Sequence, residues 1–430
     1  MKILRGLLFL ISIGFLLAAN GEILIWDFFE ENFGGINPSW IQCKTGRGTI
    51  GLRTEWTRIP YAYSVHGKTS LYMSAYDETS FAYVKREFPT LSSNEYLVEF
   101  YFWIDTSYSE IRNLRLYEPR KGDTLAHIVL TLAYAFDSIG KKYWRLYVQD
   151  KFNIDSSLTL RESIDFWYKF QIHQLPTGTV LLWINGDSIK TSFTSISDTL
   201  QPDSFRFGIV EGSKGSGFWD DFIITTPPSG SHPGIYFKPR DIPALREKRG
   251  DNDTIPLGIS AGSLWRRREG WASRWDNESI SIFEDDTMPS SEYTFHWPYP
   301  QPPFDSTSDR IWHFYEMALG KRLELVALVS LLNSDTKLFE TLRVSLRSIS
   351  SWEQWTNRFT TAYSNLYLPF LVRGLASSYD LIFSYLNNYE KMAIQNALLV
   401  HGIGQLYQGL EFYNDYGYWG TTVSTIYLAD

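Results

Sequence analysis

The chain has 430 residues, 44% hydrophobic, 17% aromatic and 20% charged. That composition excludes a disordered chain and, at roughly 100 to 200 residues per domain, leaves room for two or three domains. Lysine and arginine number 40 against 48 aspartates and glutamates, a net charge of −8, which excludes a general affinity for the nucleic-acid backbone and leaves any polyanion to a local basic site.

Lys2 and Arg5 stand ahead of an apolar run from Leu7 to Ala19, which closes on the small residues Ala19 and Gly21. That order predicts a signal peptide over residues 1–21 and a secreted or periplasmic protein. The run is shorter than the roughly 20 residues of a spanning helix. No later segment comes closer, so no stable membrane insertion is expected after cleavage; an uncleaved N-terminal anchor is the other reading of the same residues.

Residues 22–226 predict an antiparallel β-sandwich of the jelly-roll kind. Short runs rich in β-branched and aromatic residues recur between turn signals, among them SFAYVKREF, EYLVEFYFWID, AHIVLTLAYAF, YWRLYVQD, WYKFQIHQL and FWDDFIITT. Their alternation turns one face inward, as half-buried antiparallel strands require. Asn185-Gly186, between TVLLWI and DSIKTSF, marks a two-residue hairpin, because both central positions need positive φ. Trp26, Trp103, Trp144, Trp167, Trp183 and Trp219 fall inside strand patterns and are expected in the core. Cys43, the only cysteine, reads as structural and excludes both an intramolecular disulfide and a cysteine-built zinc site. Glu30 near the first strand and Asp220 in the last come together if the domain's ends pair, and carboxylates with backbone carbonyls suit a structural Ca²⁺. Solvated surface carboxylates are the alternative, and no cofactor is expected for chemistry.

The segment TPPSGSHPG permits neither helix nor paired central strand and marks a linker over residues 227–234. Over residues 235–430 the apolar period moves towards that of a helix, in DRIWHFYEMALGKRLELVALVSLLNSD, TKLFETLRVSLRSIS, LYLPFLVRGLASSYDLIFSYL and YEKMAIQNALLVHGIGQLYQGL. Short connections make these helices antiparallel neighbours. Residues 250–308 are less regular and rich in Trp, Arg, Pro and acidic residues. The chain closes on YGYWGTTVSTIYLAD soon after the last clear helical run, and a helical layer ending there has few partners for its apolar faces, so a C-terminally truncated protein is expected.

Two stretches of this half offer sugar-binding chemistry. WRRREGWASRW, residues 265–275, interleaves Trp265, Trp271 and Trp275 with Arg266, Arg267, Arg268 and Arg274. Guanidinium groups bind carboxylate or sulfate bidentately and indoles stack on sugar faces, which suits an acidic polysaccharide. The same pattern fits a helix whose Trp271 and Trp275 pack inward while the arginines pair with Glu269, Asp276 or Glu278. YTFHWPYPQPPF places His296, Trp297 and Tyr299 in a proline-stiffened loop, either as a sugar platform or as an ordinary packed loop. His401, late in a helical run, reads as structural. Neither a Walker phosphate loop nor H-E-x-x-H occurs.

HPGIYFKPRDIPALREK, residues 232–248, and LVRGLASSYDLIFSYLNNYEKMAIQNALLVHG, residues 371–402, resemble the heparinase II/III and alginate lyase group, with residues 309–355, ending in SWEQW, fitting the helix between them. The resemblance implies the N-terminal part of an incomplete (α/α) toroid and, for the intact protein, β-elimination of a uronate-containing polysaccharide. In that group the Asn, His and Tyr that act on the uronate lie beyond the matched helix pair, so it implies no catalytic residue here. It makes Tyr418 and Trp419, near that missing region, candidates for a substrate wall; burial against a neighbouring helix is the other reading. The first half resembles the concanavalin A-like, laminin G-like sandwiches, on IWDFFEENFGGINPSW, WYKFQIHQLPTGTVLLWING and GFWDDFIITT. The expected function is that of an exported polysaccharide lyase-like protein that binds an acidic polysaccharide; the alternative is a non-catalytic glycan-binding or scaffold protein.

Overall fold

The computed structural model describes residues 23–27, 29, 39–54, 69–88, 93–104, 111–136, 142–151, 156–160, 167–188, 192–197, 201–228, 232–235, 237–250, 260–273, 280–281, 294–295, 309–352, 355 and 368–405. The chain divides into two compact units, Glu22–Pro227 and a second that continues from Pro228.

The strands described in the first unit are β1 (Ile23–Asp27), β2 (Ile41–Thr45), β3 (Thr49–Thr54), β4 (Thr69–Ala75), β5 (Phe81–Glu87), β6 (Tyr96–Ile104), β7 (Leu114–Lys121), β8 (Thr124–Leu125), β9 (Val129–Phe136), β10 (Lys142–Gln149), β11 (Ser156–Leu160), β12 (Tyr168–Gln174), β13 (Thr179–Ile184), β14 (Asp187–Ser188), β15 (Phe193–Thr194), β16 (Ser204–Ile209) and β17 (Gly215–Thr225). A nine-stranded sheet runs β14-β13-β12-β6-β17-β4-β3, with β1 on β17 and β15 on β13, and an eight-stranded sheet runs β11-β10-β9-β7-β16-β5-β2, with β8 on β7. Pairing is antiparallel, and the two ends of the domain meet, Trp26 opposite Ile223 and Asp27 opposite Phe222. The unit is the β-sandwich that the alternating runs predict.

The alternation sets which side chains fill it. Tyr96, Val98, Phe100, Phe102 and Ile104 of β6 face the core, as do Trp144, Leu146 and Val148 of β10. Phe100 stacks on Phe170 of the same sheet at 5.1 Å. Trp219 lies between Phe102 at 4.8 Å and Phe207 of the other sheet at 5.7 Å. Each such buried ring contributes roughly 1.5–3 kcal/mol. Asn185 and Gly186 take φ of 52° and 80°, and the hairpin closes with Trp183 opposite Ser188.

One expectation needs correction. The eight-stranded sheet is half-buried, with Arg145 and Tyr147 partly exposed between the buried positions of β10. The nine-stranded sheet is buried on both faces, at every position of β4, β12 and β17. Its second face carries Leu97, Tyr101, Phe218 and Ile223, whose size and polarity suit burial. Trp144, Trp167, Trp183 and Trp219 are buried as expected, Trp144 and Trp219 between the sheets and Trp167 and Trp183 on that second face, where the half-buried Trp103 lies 6.2 Å from Trp167. The Trp26 side chain lies outside the described residues.

In the second unit the described α-helices are α1 (Ile242–Lys248), α2 (Ala261–Ser273), α3 (Asp309–Asn333), α4 (Thr336–Ser350), α5 (Leu368–Ile382) and α6 (Asn388–Ala397), the last continuing as a π-helical turn, Leu398–Gly404. The connection between α3 and α4 is Ser334-Asp335, with Ser334 at φ 54° and the Asp335 carboxylate accepting from the amides of Lys337 and Leu338. Asn387 and Glu390 form a capping box on α6, and Glu390 also receives Arg343 of α4 at 2.8 and 2.9 Å. Helices α3 and α5 approach through glycines: a methyl group on Gly374 would stand 2.2 Å from the Gly320 carbonyl oxygen. Leu319, Leu323, Leu342, Leu346, Leu371 and Leu375 share one buried cluster. Closure of these helices into a toroid is not among their described features. Among the described residues no helix is long and apolar enough to cross a membrane.

Candidate functional site

Helix α2 settles how the Trp and Arg residues of WRRREGWASRW divide. Ser260 caps it, its Oγ accepting the Ser263 amide at 3.2 Å. GISAG, residues 258–262, has the G-x-S-x-G spacing of a nucleophile elbow, but its serine is a helix cap with no histidine hydrogen-bonded to it among the described residues. Ala272 is buried and Trp265 packs on the helical core, donating its indole N–H to Glu269 at 2.6 Å. Glu269 also accepts from Asn333 of α3 at 2.8 Å, so this one of the three carboxylates expected to pair with the arginines serves the helix-helix contact instead; Asp276 and Glu278 lie outside the described residues.

Trp271 is 59% exposed, which corrects the inward-packing alternative. The Arg268 guanidinium lies 5.1 Å from its ring centroid, and Arg266, Arg267 and Arg268 are all exposed. Arg267 and Trp271 are four positions apart, so Arg267, Arg268 and Trp271 share one face of the helix. No carboxylate pairs with these arginines among the described residues. Trp275 and Arg274 lie outside the described residues, as do His296, Trp297, Tyr299, Tyr418 and Trp419.

Of the expected calcium ligands, Glu30 lies outside the described residues. Asp220 is buried in β17, its Oδ1 accepting the amide of Asp221 at 2.9 Å where the backbone turns to φ 47°. Among the described residues no group of three His, Cys, Asp or Glu side chains is placed to hold a metal ion.

The second face of the nine-stranded sheet holds a polar row that alternation alone would place in solvent. Lys169 reaches Glu99 at 2.9 Å, and Gln171 donates to the same carboxylate at 2.8 Å. His173 Nε2 lies 3.0 Å from Glu95, and burial still drives the His173 pKa down. These groups are buried and paired with one another, so the row is a structural network.

In the helical unit, Asp380 of α5 gathers the start of the chain segment that follows the linker. It accepts from His232 Nδ1 at 2.6 Å, from the Gly234 amide at 3.0 and 2.9 Å, and from the Ile235 amide at 2.9 Å. The His232 ring stacks on Phe383 at 3.9 Å. His401 is buried against Trp355 at 5.7 Å.

No protein-family model matches the chain, and no curated protein matches it. Among solved structures, the binding domain of botulinum neurotoxin DC in complex with rat synaptotagmin II shares 10% identity over 47% of each chain, with a TM-score of 0.31. A xylan-binding domain, CBM22-1, from Paenibacillus barcinonensis shares 14% over 47% of this chain and 94% of its own, with a TM-score of 0.25. The cellulose induced protein shares 15% over 48% of this chain and 99% of its own, with a TM-score of 0.30. The chain spans about half the length of the neurotoxin structures it matches. At these scores the likeness fixes neither ligand nor role.

Proposed function

We propose that the protein binds an acidic polysaccharide, without cleaving it, through the Arg267, Arg268 and Trp271 face of α2. The observation that carries this reading is the exposed indole of Trp271 beside guanidinium groups that no described carboxylate neutralises. An indole left in water loses the burial that stabilises other tryptophans, and a stacked sugar ring restores it. The adjacent guanidiniums offer parallel N–H pairs to a uronate carboxylate. The test is affinity electrophoresis and calorimetry of the full chain with polygalacturonate, alginate and neutral dextran. Trp271→Ala and Arg267→Ala/Arg268→Ala are each expected to weaken binding of the acidic polymers about tenfold. Unchanged binding in both would refute the reading.

A lyase acting on the same polymer is the second reading, favoured by one contact. Asp380, the acidic residue of RGLASSYD, holds His232, Gly234 and Ile235 of HPGI, so the two stretches on which the lyase resemblance rests touch one another. Incubation of the full chain with alginate and polygalacturonate separates the readings. Absorbance from an unsaturated uronate supports the lyase; binding without it leaves the non-catalytic protein.

A further inference from the structure

The eight-stranded sheet, unlike its partner, leaves one face partly open, and that face carries a cluster of cations. On it, Glu118 of β7 stands opposite Arg206 of β16, and Arg206 opposite Lys85 of β5. In the neighbouring row Tyr147 of β10, Thr131 of β9 and Arg115 of β7 follow one another, then Gly208 of β16 and Tyr83 of β5. Strict alternation would separate Arg115 from Glu118. A register shift in β7 turns both Leu116 and Tyr117 into the core, which returns Arg115 and Glu118 to the same side.

Three guanidiniums converge on the single Glu118 carboxylate. Arg120 Nη1 donates to Oε1 at 2.6 Å, Arg206 Nε to Oε1 at 2.8 Å, and Arg115 Nε lies 3.2 Å from Oε2. Arg115 Nη1 is held by the Thr131 hydroxyl, and Arg206 lies over the Tyr83 ring at 4.9 Å. Glu118 is 1% exposed, whereas the arginine side chains keep 18% to 27% of their surface in solvent.

One guanidinium neutralises one carboxylate; three leave two positive charges that no further carboxylate among the described residues pairs with. That arrangement is electrostatically costly: burial first, then the Arg206 and Arg120 charges, lower the Arg115 pKa against the pull of Glu118. The neighbouring cations do not add to the cluster, since Lys85 is paired with Glu87 at 2.8 Å and Lys121 with Asp203 at 3.4 Å. The register position between Arg115 and Tyr83 is a glycine. The intervening Gly208, at φ 123°, would place a methyl group 2.6 Å from the Ala82 carbonyl oxygen.

We propose that Arg115, Arg120 and Arg206, fixed by Glu118, form a binding site for the carboxylate or sulfate groups of an anionic polysaccharide, with Tyr83 flanking it. The cluster sits on two adjacent strands, roughly 5 Å apart. Acidic pairs at Glu87 and Asp203 flank it, so it matches one or two pendant anions and offers no continuous track for a phosphodiester backbone. The site belongs to the β-sandwich unit, and the α2 face to the helical unit.

The test uses the full chain in a Trp271→Ala background, which removes the α2 contribution. The probes are polygalacturonate, dextran sulfate, neutral dextran and a single-stranded oligonucleotide. Arg206→Gln and Arg120→Gln each leave Glu118 two cations and are expected to stay folded, to weaken binding of the anionic polysaccharides about tenfold, and to flatten its salt dependence. Glu118→Gln removes the anion on which the three arginines converge; if it folds, tighter binding is expected, and if it does not, the arginine variants still decide. Folded Arg206→Gln and Arg120→Gln proteins that bind the polysaccharides unchanged overturn the proposal. So does an oligonucleotide that binds as tightly as dextran sulfate with the same arginine dependence. Loss of binding on Trp271→Ala alone, with no further effect of the arginines, overturns this site and leaves the α2 reading standing.

Discussion

Replacing Asp380 tests how the linker end is tied to the helical unit. The carboxylate satisfies three donors, His232 Nδ1–H and the amides of Gly234 and Ile235, through four contacts of 2.6 to 3.0 Å. Both His232 and Asp380 side chains are at most 5% exposed, so water does not replace the lost acceptor without rearrangement. A buried donor left without a partner costs about 1–3 kcal/mol, and three such donors, partly relieved by movement of the segment, place Asp380→Ala at about 3–5 kcal/mol of destabilisation. Asp380→Asn keeps one acceptor oxygen for an amide, and His232 can change tautomer to accept from the new N–H, so about 1–2 kcal/mol is expected. The assay is urea denaturation followed by far-ultraviolet circular dichroism, with limited proteolysis between residues 228 and 240. A faster cut in Asp380→Ala accompanies the loss of stability. An alanine variant within 1 kcal/mol of the parent, equally protected from protease, would refute the reasoning.

Three further outcomes follow from packing and burial. Gly374→Ala sets a methyl group against the Gly320 backbone, which cannot rotate away, so α3 and α5 must separate; the helix-propensity gain of about 1 kcal/mol is outweighed and a net loss of about 2 kcal/mol is expected in the same denaturation assay. Trp219→Ala empties the space between Phe102 and Phe207 and should cost about 3–5 kcal/mol in the unfolding of the sandwich. Burial pushes the pKa of His127 down to about 4, and its ring is placed by the Ser195 hydroxyl. Between the unfolded value of about 6.5 and the folded value the unfolded chain binds more protons, so stability is present above pH 6.5 and falls as the pH drops, by up to about 3 kcal/mol. Thermal melts should show a shallower acid slope for His127→Gln; an unchanged slope would place the proton elsewhere.

The elements legible in the sequence are those whose signal is local. Asn185-Gly186 names its own turn, because few other pairs accept two positive φ values. The core side of β6 and β10 follows from strict alternation. Helices α3 to α6 follow from periodicity, and Asp335 and Asn387 cap α4 and α6. What alternation cannot tell is whether the polar side of a strand meets solvent. Lys169, Gln171 and His173 read as an exposed row and are buried, because each finds a partner on β6 or just before it.

The candidate sites were legible in proportion to how far apart in sequence their partners stand. Arg267, Arg268 and Trp271 lie within five residues, and the sequence poses the right question of them; for Glu269 the answer is that Trp265 and Asn333 draw it away. Arg115, Arg120 and Arg206 carry no joint signal, since a register shift in one strand and pairing with another bring them together. The formal charge of −8 is no guide to either place. Carboxylates such as Glu99, Glu118, Asp380 and Glu390 are buried among internal donors, so their charge is matched within the fold and does not screen the surface. An acidic chain thus presents cationic faces wherever its arginines outnumber the carboxylates within reach, and three guanidiniums on Glu118 meet that condition in the folded sheet alone.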